Sequence, residues 1–413
     1  MRIRLFIVLT IVAILVGYLT YKQHQDTNEE GSVLLADGVR ASTTTVMTEP
    51  GNIRIWNHRD RLAYYANGTV GIVAPRGKGQ PLYQSGDRMF IGGFASYIVA
   101  RDGSGVHVTT RNKSFTLPNS HGENTHFVYQ WHNGLLYYAL YSHGSIEPSF
   151  TGLYAYNPAT GEERQLMPGK NAYTVWGLDV SPDNTKIILV MGQHTAEEER
   201  PTAQEIWIYD LGSKEIKQIH VLQPAPDATM PATLHGSPYW INPTTVAINL
   251  RKIDSDEQVG MVFYSYNGEL LTRRRIFMDG ARLLAYTGEN QAFLLQREPN
   301  VALGDLQDAY IISSYDLSEG QLLRVMALPK GQVVSLALFH VRKNKLLVAL
   351  VPAAGTPGKE ASQVSFIDVT GKEEPLFSTK GTITEATWVG NTLYAVIFNG
   401  GTYTLQRIAF SGR

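Results

Sequence analysis

Cysteine is absent from all 413 residues. That gap removes disulfide scaffolds, thiolate zinc sites, thiol nucleophiles and lipid attachment through a cysteine. An excess of either charge is missing too: 36 Lys and Arg stand against 37 Asp and Glu, a formal net charge of -1. Nucleic-acid binding rests on a basic surplus, so this balance speaks against it. Apolar periodicity of the helical kind, sustained over about eleven residues or more, is nearly lacking, which points away from α and α/β classes. No GxSxG elbow, P-loop, dinucleotide fingerprint or HExxH helix is written in the chain.

What the chain does carry begins at its start. Residues Met1 to Lys22 read MRIRLFIVLTIVAILVGYLTYK, with Arg2 and Arg4 ahead of an apolar run and Lys22 closing it. Residues 5–21 as a helix reach roughly 25 Å, near the lower limit for crossing hydrocarbon. Tyr18 and Tyr21 suit the interface, and Arg4 and Lys22 can snorkel. A cleaved signal peptide is the competing reading, but the stretch from Val16 to Thr20 offers no Ala-x-Ala site. The expected organisation is a cytoplasmic stub (1–4), a transmembrane signal anchor (5–21), a polar tether (22–32) and an extracytoplasmic domain (33–413), placed there by the positive charge that precedes the run. A bacterial cell envelope is compatible with such a chain.

From residue 52 onward, short runs rich in Val, Ile, Tyr and Leu alternate with Gly, Asn, Asp and Pro turns. One hairpin recurs as IRIWNHRDRLAYYA from Ile53, FVYQWHNGLLYYAL from Phe127, SPYWINPTTVAINL from Ser237 and EATWVGNTLYAVIF from Glu385. Further copies are LDVSPDNTKIILV from Leu178, RLLAYTGENQAFLL from Arg282 and LALFHVRKNKLLVAL from Leu336, with a weaker one, MFIGGFASYIVA, from Met89. Their aligned positions are Trp56, roughly Ile91, Trp131, Val180, Trp240, Tyr286, Phe339 and Trp388, giving a period of about 47 residues. A residue recurring once per repeat is expected to pack between repeats rather than to stack on a ligand.

A second hairpin follows most copies, as in LYAYNPATGEERQL from Leu153, IWIYDLGSKEIKQI from Ile206 and VSFIDVTGKEEPLF from Val364. Two hairpins per repeat make a four-stranded antiparallel blade. The chain is therefore read as all-β, a β-propeller of eight blades with seven as the alternative, preceded by one N-terminal transmembrane helix. The last repeat has three strands, so a segment near the start, such as Ser32 to Arg40 or Thr43 to Met47, is expected to supply the fourth.

The run Ser181-Pro182-Asp183-Asn184 before an apolar strand resembles the repeat of TolB-like and WD40-like propellers. The other copies keep the hairpin and lose Ser-Pro-Asp, so the resemblance implies architecture and carries over no functional residue. Quinoprotein dehydrogenases share the eight-bladed plan, but their repeat places a Trp in the outer strand. Gln165-Leu166, Gln218-Ile219 and Arg324-Val325 stand at that place here.

Naming the strands of a blade a to d from the axis outward, the long connections all fall between b and c: SHGSIEPSFTG after Tyr141, GQHTAEEERPTAQE from Gly192, KIDSDEQVG from Lys252, REPNVALGDLQDAY from Arg297 and VPAAGTPGKEASQ from Val351. They hold twelve acidic and four basic residues in an almost neutral chain. The candidate binding face comprises Glu197, Glu198, Glu199, Asp254, Asp256, Glu257, Asp305 and Asp308, expected to attract a basic peptide, a basic protein patch or a divalent cation. No cofactor is expected; the one candidate ion is calcium, for which Asp254, Asp256 and Glu257, and Asp305 and Asp308, offer oxygen donors but miss the EF-hand spacing. His121, His126, His132 and His143 read as turn and strand-end residues. These features point to a membrane-anchored, extracytoplasmic, non-catalytic binding or scaffolding module for a protein, peptide or surface polysaccharide. The alternative is a propeller hydrolase or lyase acting on cell-surface glycans or lactones through a carboxylate pair.

Overall fold

A strand covered on both faces needs no polar alternation, and the second strand of each repeat reads that way: Ile187, Ile188, Leu189, Val190 and Met191 are all fully buried. In the computed structural model, which describes residues 32–34, 40–58, 61–73, 79–84, 89–94, 97–102, 104–110, 113–117, 120, 125–143, 148–194, 203–222, 237–251, 258–269, 271–277, 281–287, 290–297, 310–329, 331–340, 344–352 and 361–411, the odd and even members of that run serve different partners. Ile187, Leu189 and Met191 pack toward the preceding sheet, Ile188 and Val190 toward the following one.

Eight antiparallel sheets follow one another. The first has strands Ile53–His58, Arg61–Ala66, Thr69–Val73 and Gly79–Gln84, the second Met89–Phe94, Tyr97–Asp102, Gly105–Thr109 and Ser114–Thr116. The third has Thr125–His132, Leu135–His143, Pro148–Asn157 and Glu162–Asn171, the fourth Tyr173–Val180, Lys186–Gln193, Ala203–Asp210 and Ile216–Leu222. The fifth runs Pro238–Asn242, Thr245–Arg251, Gln258–Tyr266 and Leu271–Phe277, the sixth Arg282–Tyr286, Gln291–Arg297, Tyr310–Asp316 and Leu322–Ala327. The seventh has Gln332–His340, Lys345–Pro352, Ala361–Ile367 and Glu373–Lys380. The chain is an eight-bladed β-propeller, as the repeat length indicated.

The eighth blade closes the ring. Thr382–Val389, Thr392–Asn399 and Thr402–Ser411 come from the C-terminus, Arg40–Glu49 pairs with Thr402–Ser411 as the fourth strand, and Ser32–Leu34 adds a fifth. The expected closing segment is thus present, with Thr43 opposite Ile408 and Met47 opposite Leu405. Each pair of neighbouring blades shares its own apolar cluster, so the core is a ring of eight separate interfaces. The anchor expected at 5–21 lies outside the described residues, among which no helix is long and apolar enough to cross a membrane.

The recurrent aromatic positions pack between blades. Trp131, Val180, Trp240, Tyr286, Phe339 and Trp388 each contribute to the cluster shared with the preceding blade. Trp56 departs from the expected alignment. Trp131 and Trp388 sit one pair inside the last pair before the turn, opposite Leu136 and Leu393, whereas Trp56 sits two pairs inside, opposite Ala63. A single step reverses a side chain in a strand, so Trp56 turns to the second blade and packs with Val70, Ile98 and Ala100. The equivalent position in the second blade is Gly93 rather than Ile91, since Gly93 pairs with Ile98 just inside the Phe94–Tyr97 pair. A Cβ on Gly93 would lie 2.8 Å from the Trp56 ring, so the neighbour's indole fills the space left vacant there.

Candidate functional site

Strand direction sorts the connections by face. Every innermost strand starts at the end of the ring where the chain arrives from the preceding blade, and the b-to-c connections open at that same end. The wide intervals there run from Gln193 to Ala203, Arg251 to Gln258, Arg297 to Tyr310 and Pro352 to Ala361, joined by the passage from Leu222 to Pro238 between the fourth and fifth blades. The opposite end is closed by short turns whose geometry is locally determined. Asp210 Oδ1 accepts from the backbone N–H groups of Gly212 and Ser213 at 2.9 and 2.8 Å. Asn157, Asn267, Asp316 and Asp368 do the same in their own blades. Donation from Ser213 N–H to Asp210, from Ser318 to Asp316 and from Thr370 to Asp368 holds these carboxyls below their usual range.

The Ser-Pro-Asp-Asn run is such a turn. Ser181 is buried; its hydroxyl donates to Asp183 at 2.6 Å and accepts from the Lys186 N–H at 2.9 Å. Burial pushes the Asp183 carboxyl up, but donation from Ser181 and Thr185 outweighs it and the net shift is downward. The one motif with a family flavour is accordingly a turn clamp.

Glu197, Glu198, Glu199, Asp254, Asp256, Glu257, Asp305 and Asp308 all fall within the wide intervals and lie outside the described residues. Glu205, counted in sequence with the loop acids, does not belong with them. It stands in the strand Ala203–Asp210 at 5% exposure. Trp207 Nε1 donates to it at 2.6 Å and the Tyr173 hydroxyl at 3.3 Å, while Lys170 Nζ lies 4.2 Å from the Tyr173 ring centroid and 4.8 Å from that of Trp207. Glu205 thus braces the fourth blade from within, on the side that faces the third, and the Lys170 cation of the third blade lies over the rings of its two donors.

Three further polar groups at the loop-bearing end escaped the sequence reading. On the side of the fourth blade that faces the fifth, Thr174 Oγ1 and His194 Nε2 are 3.1 Å apart, and Gln204, 1% exposed, has neither amide atom hydrogen-bonded. In the second blade, His107 Nε2 is 2.8 Å from Asp102 Oδ1 and 3.2 Å from Ser104 Oγ. These are the residue types of a hydrolytic triad in the wrong arrangement. Acid and hydroxyl share one ring nitrogen, Nδ1 faces Thr116 Oγ1 at 3.1 Å, and Ser104 Oγ donates to Asp102 at 2.6 Å. With no separate nitrogen for each partner, a proton cannot be relayed from serine through imidazole. The third is Arg282 at the mouth of the sixth blade, whose Nη2 donates to the Val334 carbonyl of the seventh at 3.0 Å.

A catalytic carboxylate pair requires two acids converging with shifted pKa values. Two described carboxylates are held above their usual range, Asp179 at about 6 and Glu163, both chiefly by desolvation. They serve different junctions. Asp179 accepts from the Trp240 N–H of the fifth blade at 2.7 Å, and Glu163 accepts from the Tyr138 hydroxyl, whose ring belongs to the cluster between blades two and three. Among the described residues no three His, Asp or Glu side chains stand close enough to hold a metal ion. His126 stacks on Tyr141 at 4.7 Å, and His132 and His143 end their strands.

No protein-family model matches the chain, and no curated protein matches it in sequence. Solved structures do match. One, from a structural and mechanistic study of two prolyl endopeptidases, is 11% identical with a TM-score of 0.51, covering 88% of this chain and 50% of its own. The dipeptidyl peptidase 4 of Porphyromonas gingivalis is 12% identical with a TM-score of 0.50, covering 84% and 56%. An oligogalacturonate lyase in complex with manganese is 11% identical with a TM-score of 0.49, covering 89% and 98%. The chain spans about half the length of the two peptidases, and the likeness is one of fold.

Proposed function

We propose that the chain is a membrane-anchored, extracytoplasmic binding module that holds a basic protein or peptide against the loop-bearing face of the ring, without chemistry of its own. The asymmetry of the two faces carries this reading. One end is sealed by self-capped Asx turns, and the other collects the wide connections, whose sequence is strongly acidic. A rigid scaffold that displays variable segments on one side suits recognition, and acidic segments raise the local concentration of a cationic partner. Asp210, Asp316 and Asp368 are engaged in turns and Asp179 and Glu385 between blades, which agrees with binding rather than turnover.

The test is crosslinking and pull-down from membranes with the N-terminal segment intact. Replacing Glu197, Glu198 and Glu199 by Gln together with Asp254 and Asp256 by Asn is expected to cut partner recovery about tenfold at low salt and less at high salt. Unchanged recovery rejects the acidic face. Turnover of a glycan or lactone by the full chain would replace this reading with the hydrolase or lyase one.

A further inference from the structure

Tyr173 opens the innermost strand of the fourth blade at the loop-bearing end, and Trp207 stands on the third strand of that blade. Both belong to the cluster shared with the third blade, and both are more than nine-tenths buried. Their ring centroids lie 5.5 Å apart and the planes are inclined at 56°, so the rings form a wedge in which one cation reaches both faces. Lys170, near the end of the outermost strand of the third blade, sends its ammonium there, 4.2 Å from the Tyr173 centroid and 4.8 Å from that of Trp207.

The wedge is built to hold a cation. Tyr173 and Trp207 both spend their polar protons on one carboxylate, that of Glu205, at 3.3 and 2.6 Å. Donation to an anion returns charge to each ring and strengthens its pull on a cation. Glu205 is itself 5% exposed, and a buried carboxylate gains from positive charge nearby. The present occupant is the loosest member of the group. Lys170 is exposed, its backbone is fixed by pairing with Phe150, and among the described residues none gives its ammonium a hydrogen bond or an ion pair. Its side chain can therefore leave for water without moving the strand, regaining rotamer freedom as it goes. The acidic connection that holds Glu197, Glu198 and Glu199 enters the strand of Glu205 at Ala203, two residues earlier, so the wedge stands at the root of that connection.

We propose that Tyr173 and Trp207 form the subsite that receives a lysine side chain of the basic partner, and that Lys170 fills it until the partner's ammonium takes its place. The occupant seen in the structure is itself a primary ammonium, which fixes the chemistry the wedge accepts. The inference deepens the binding-module reading and rests on its basic partner: the acidic connections gather positive charge, and the wedge fixes one lysine. Self-occupation covers the rings in the free protein and sets a threshold, since a partner binds only in proportion to the time the wedge stands empty.

The probe is N-acetyl-Gly-Lys-Gly-amide, titrated at low salt into the full-length protein labelled with 15N-tryptophan. The indole Nε1–H resonance of Trp207, identified by its loss in Trp207→Phe, reports the site. The peptide is expected to move that resonance, its norleucine counterpart to leave it in place, and phosphocholine to move it less. Lys170→Ala, which empties the wedge, is expected to bind the lysine peptide about tenfold more tightly than the parent, the gain due when the internal lysine fills the site about nine-tenths of the time. A lysine with a purely structural role predicts the reverse, a less stable variant with no gain in binding. Should Trp207→Phe fail to fold, calorimetry of the lysine and norleucine peptides on the parent and on Lys170→Ala carries the test. No gain in Lys170→Ala, equal affinity for lysine and norleucine, or a stronger response to phosphocholine overturns the subsite. Loss of partner capture on neutralising the acidic segments, with no gain in Lys170→Ala, sinks this inference alone; a gain in Lys170→Ala with capture indifferent to the acidic segments sinks the acidic-face reading instead.

Discussion

The junction between blades four and five and the junction between blades eight and one solve one problem in two ways. In each, an innermost strand presents N–H groups along a free edge toward the axis, and a carboxylate from the preceding blade caps one of them. Asp179 takes the Trp240 N–H at 2.7 Å and also its neighbour Val180 N–H at 2.9 Å. Glu385 takes the Ile55 N–H at 3.0 Å, pairs with Arg54, and is seconded by Asn57, whose Nδ2 donates to the Trp388 carbonyl at 3.1 Å. Among the described residues the first carboxyl is desolvated with no cation beside it, and the second is partly wet with one. The two blades at the first junction are contiguous in sequence, while the second joins the two ends of the chain. Where the backbone supplies the connection, a strained acid is tolerated; where it does not, a polar lattice and an extra strand hold the ring shut.

Removing the closing strand, residues 32–49, should therefore have the largest effect. It exposes the edge of Thr402–Ser411 and strips Val46 and Met47 from the cluster between blades eight and one. Loss of most of a typical stability of about 5–15 kcal/mol is expected, seen as a collapsed melting transition and as oligomers in size-exclusion chromatography. A truncated ring that melts like the parent would erase the distinction between the junctions.

Next in size is Asp179→Ala, expected to cost about 2–3 kcal/mol in urea unfolding because two inner-strand N–H groups lose their acceptor. Glu385→Ala should cost about 1–2 kcal/mol, since water reaches that seam and Asn57 still bridges it. Equal losses would mean that exposure does not separate the two sites.

A last effect, read as a slope rather than as a single loss, sharpens the comparison by pH. The carboxyl of Asp179 is raised to about 6 from 3.8, so between those values the folded state binds more protons than the unfolded one, and stability falls as pH rises through that window. The ionised form costs up to about 2–3 kcal/mol above pH 6. Asp179→Asn should flatten that part of the profile relative to the parent, and Glu385→Gln should leave it in place. A parental slope that survives in Asp179→Asn places the responsible proton elsewhere.

The repeat was legible because each hairpin carries its own instructions. Asn133-Gly134 takes the two positive φ angles of a tight turn, 47° and 79°, and the Asx turns cap themselves from within five residues. The closing strand was legible as a shortage, three strands where four were due. Trp56 shares its residue type with Trp131 and Trp388 but not their facing, because one position between turn and indole decides which neighbour a side chain meets. Glu205 reads as a loop acid because the strand it belongs to begins only at Ala203, and nothing local says that Tyr173 and Trp207 will enclose it. Gln204, Asp179 and Arg282 carry no motif at all.

Local chemistry thus determined the strand, turn and strand of every repeat, their number, and the face on which the long segments emerge, since those depend on contacts a few residues apart. Tertiary structure alone decided which polar groups meet. Arg282 reaches the Val334 carbonyl, and Asp179 the Trp240 N–H, because consecutive blades set their faces together, and the parity of a side chain in its strand assigns it to one junction or the other. That parity turns on single-residue register and on bulges, which pairing between strands settles and composition does not encode.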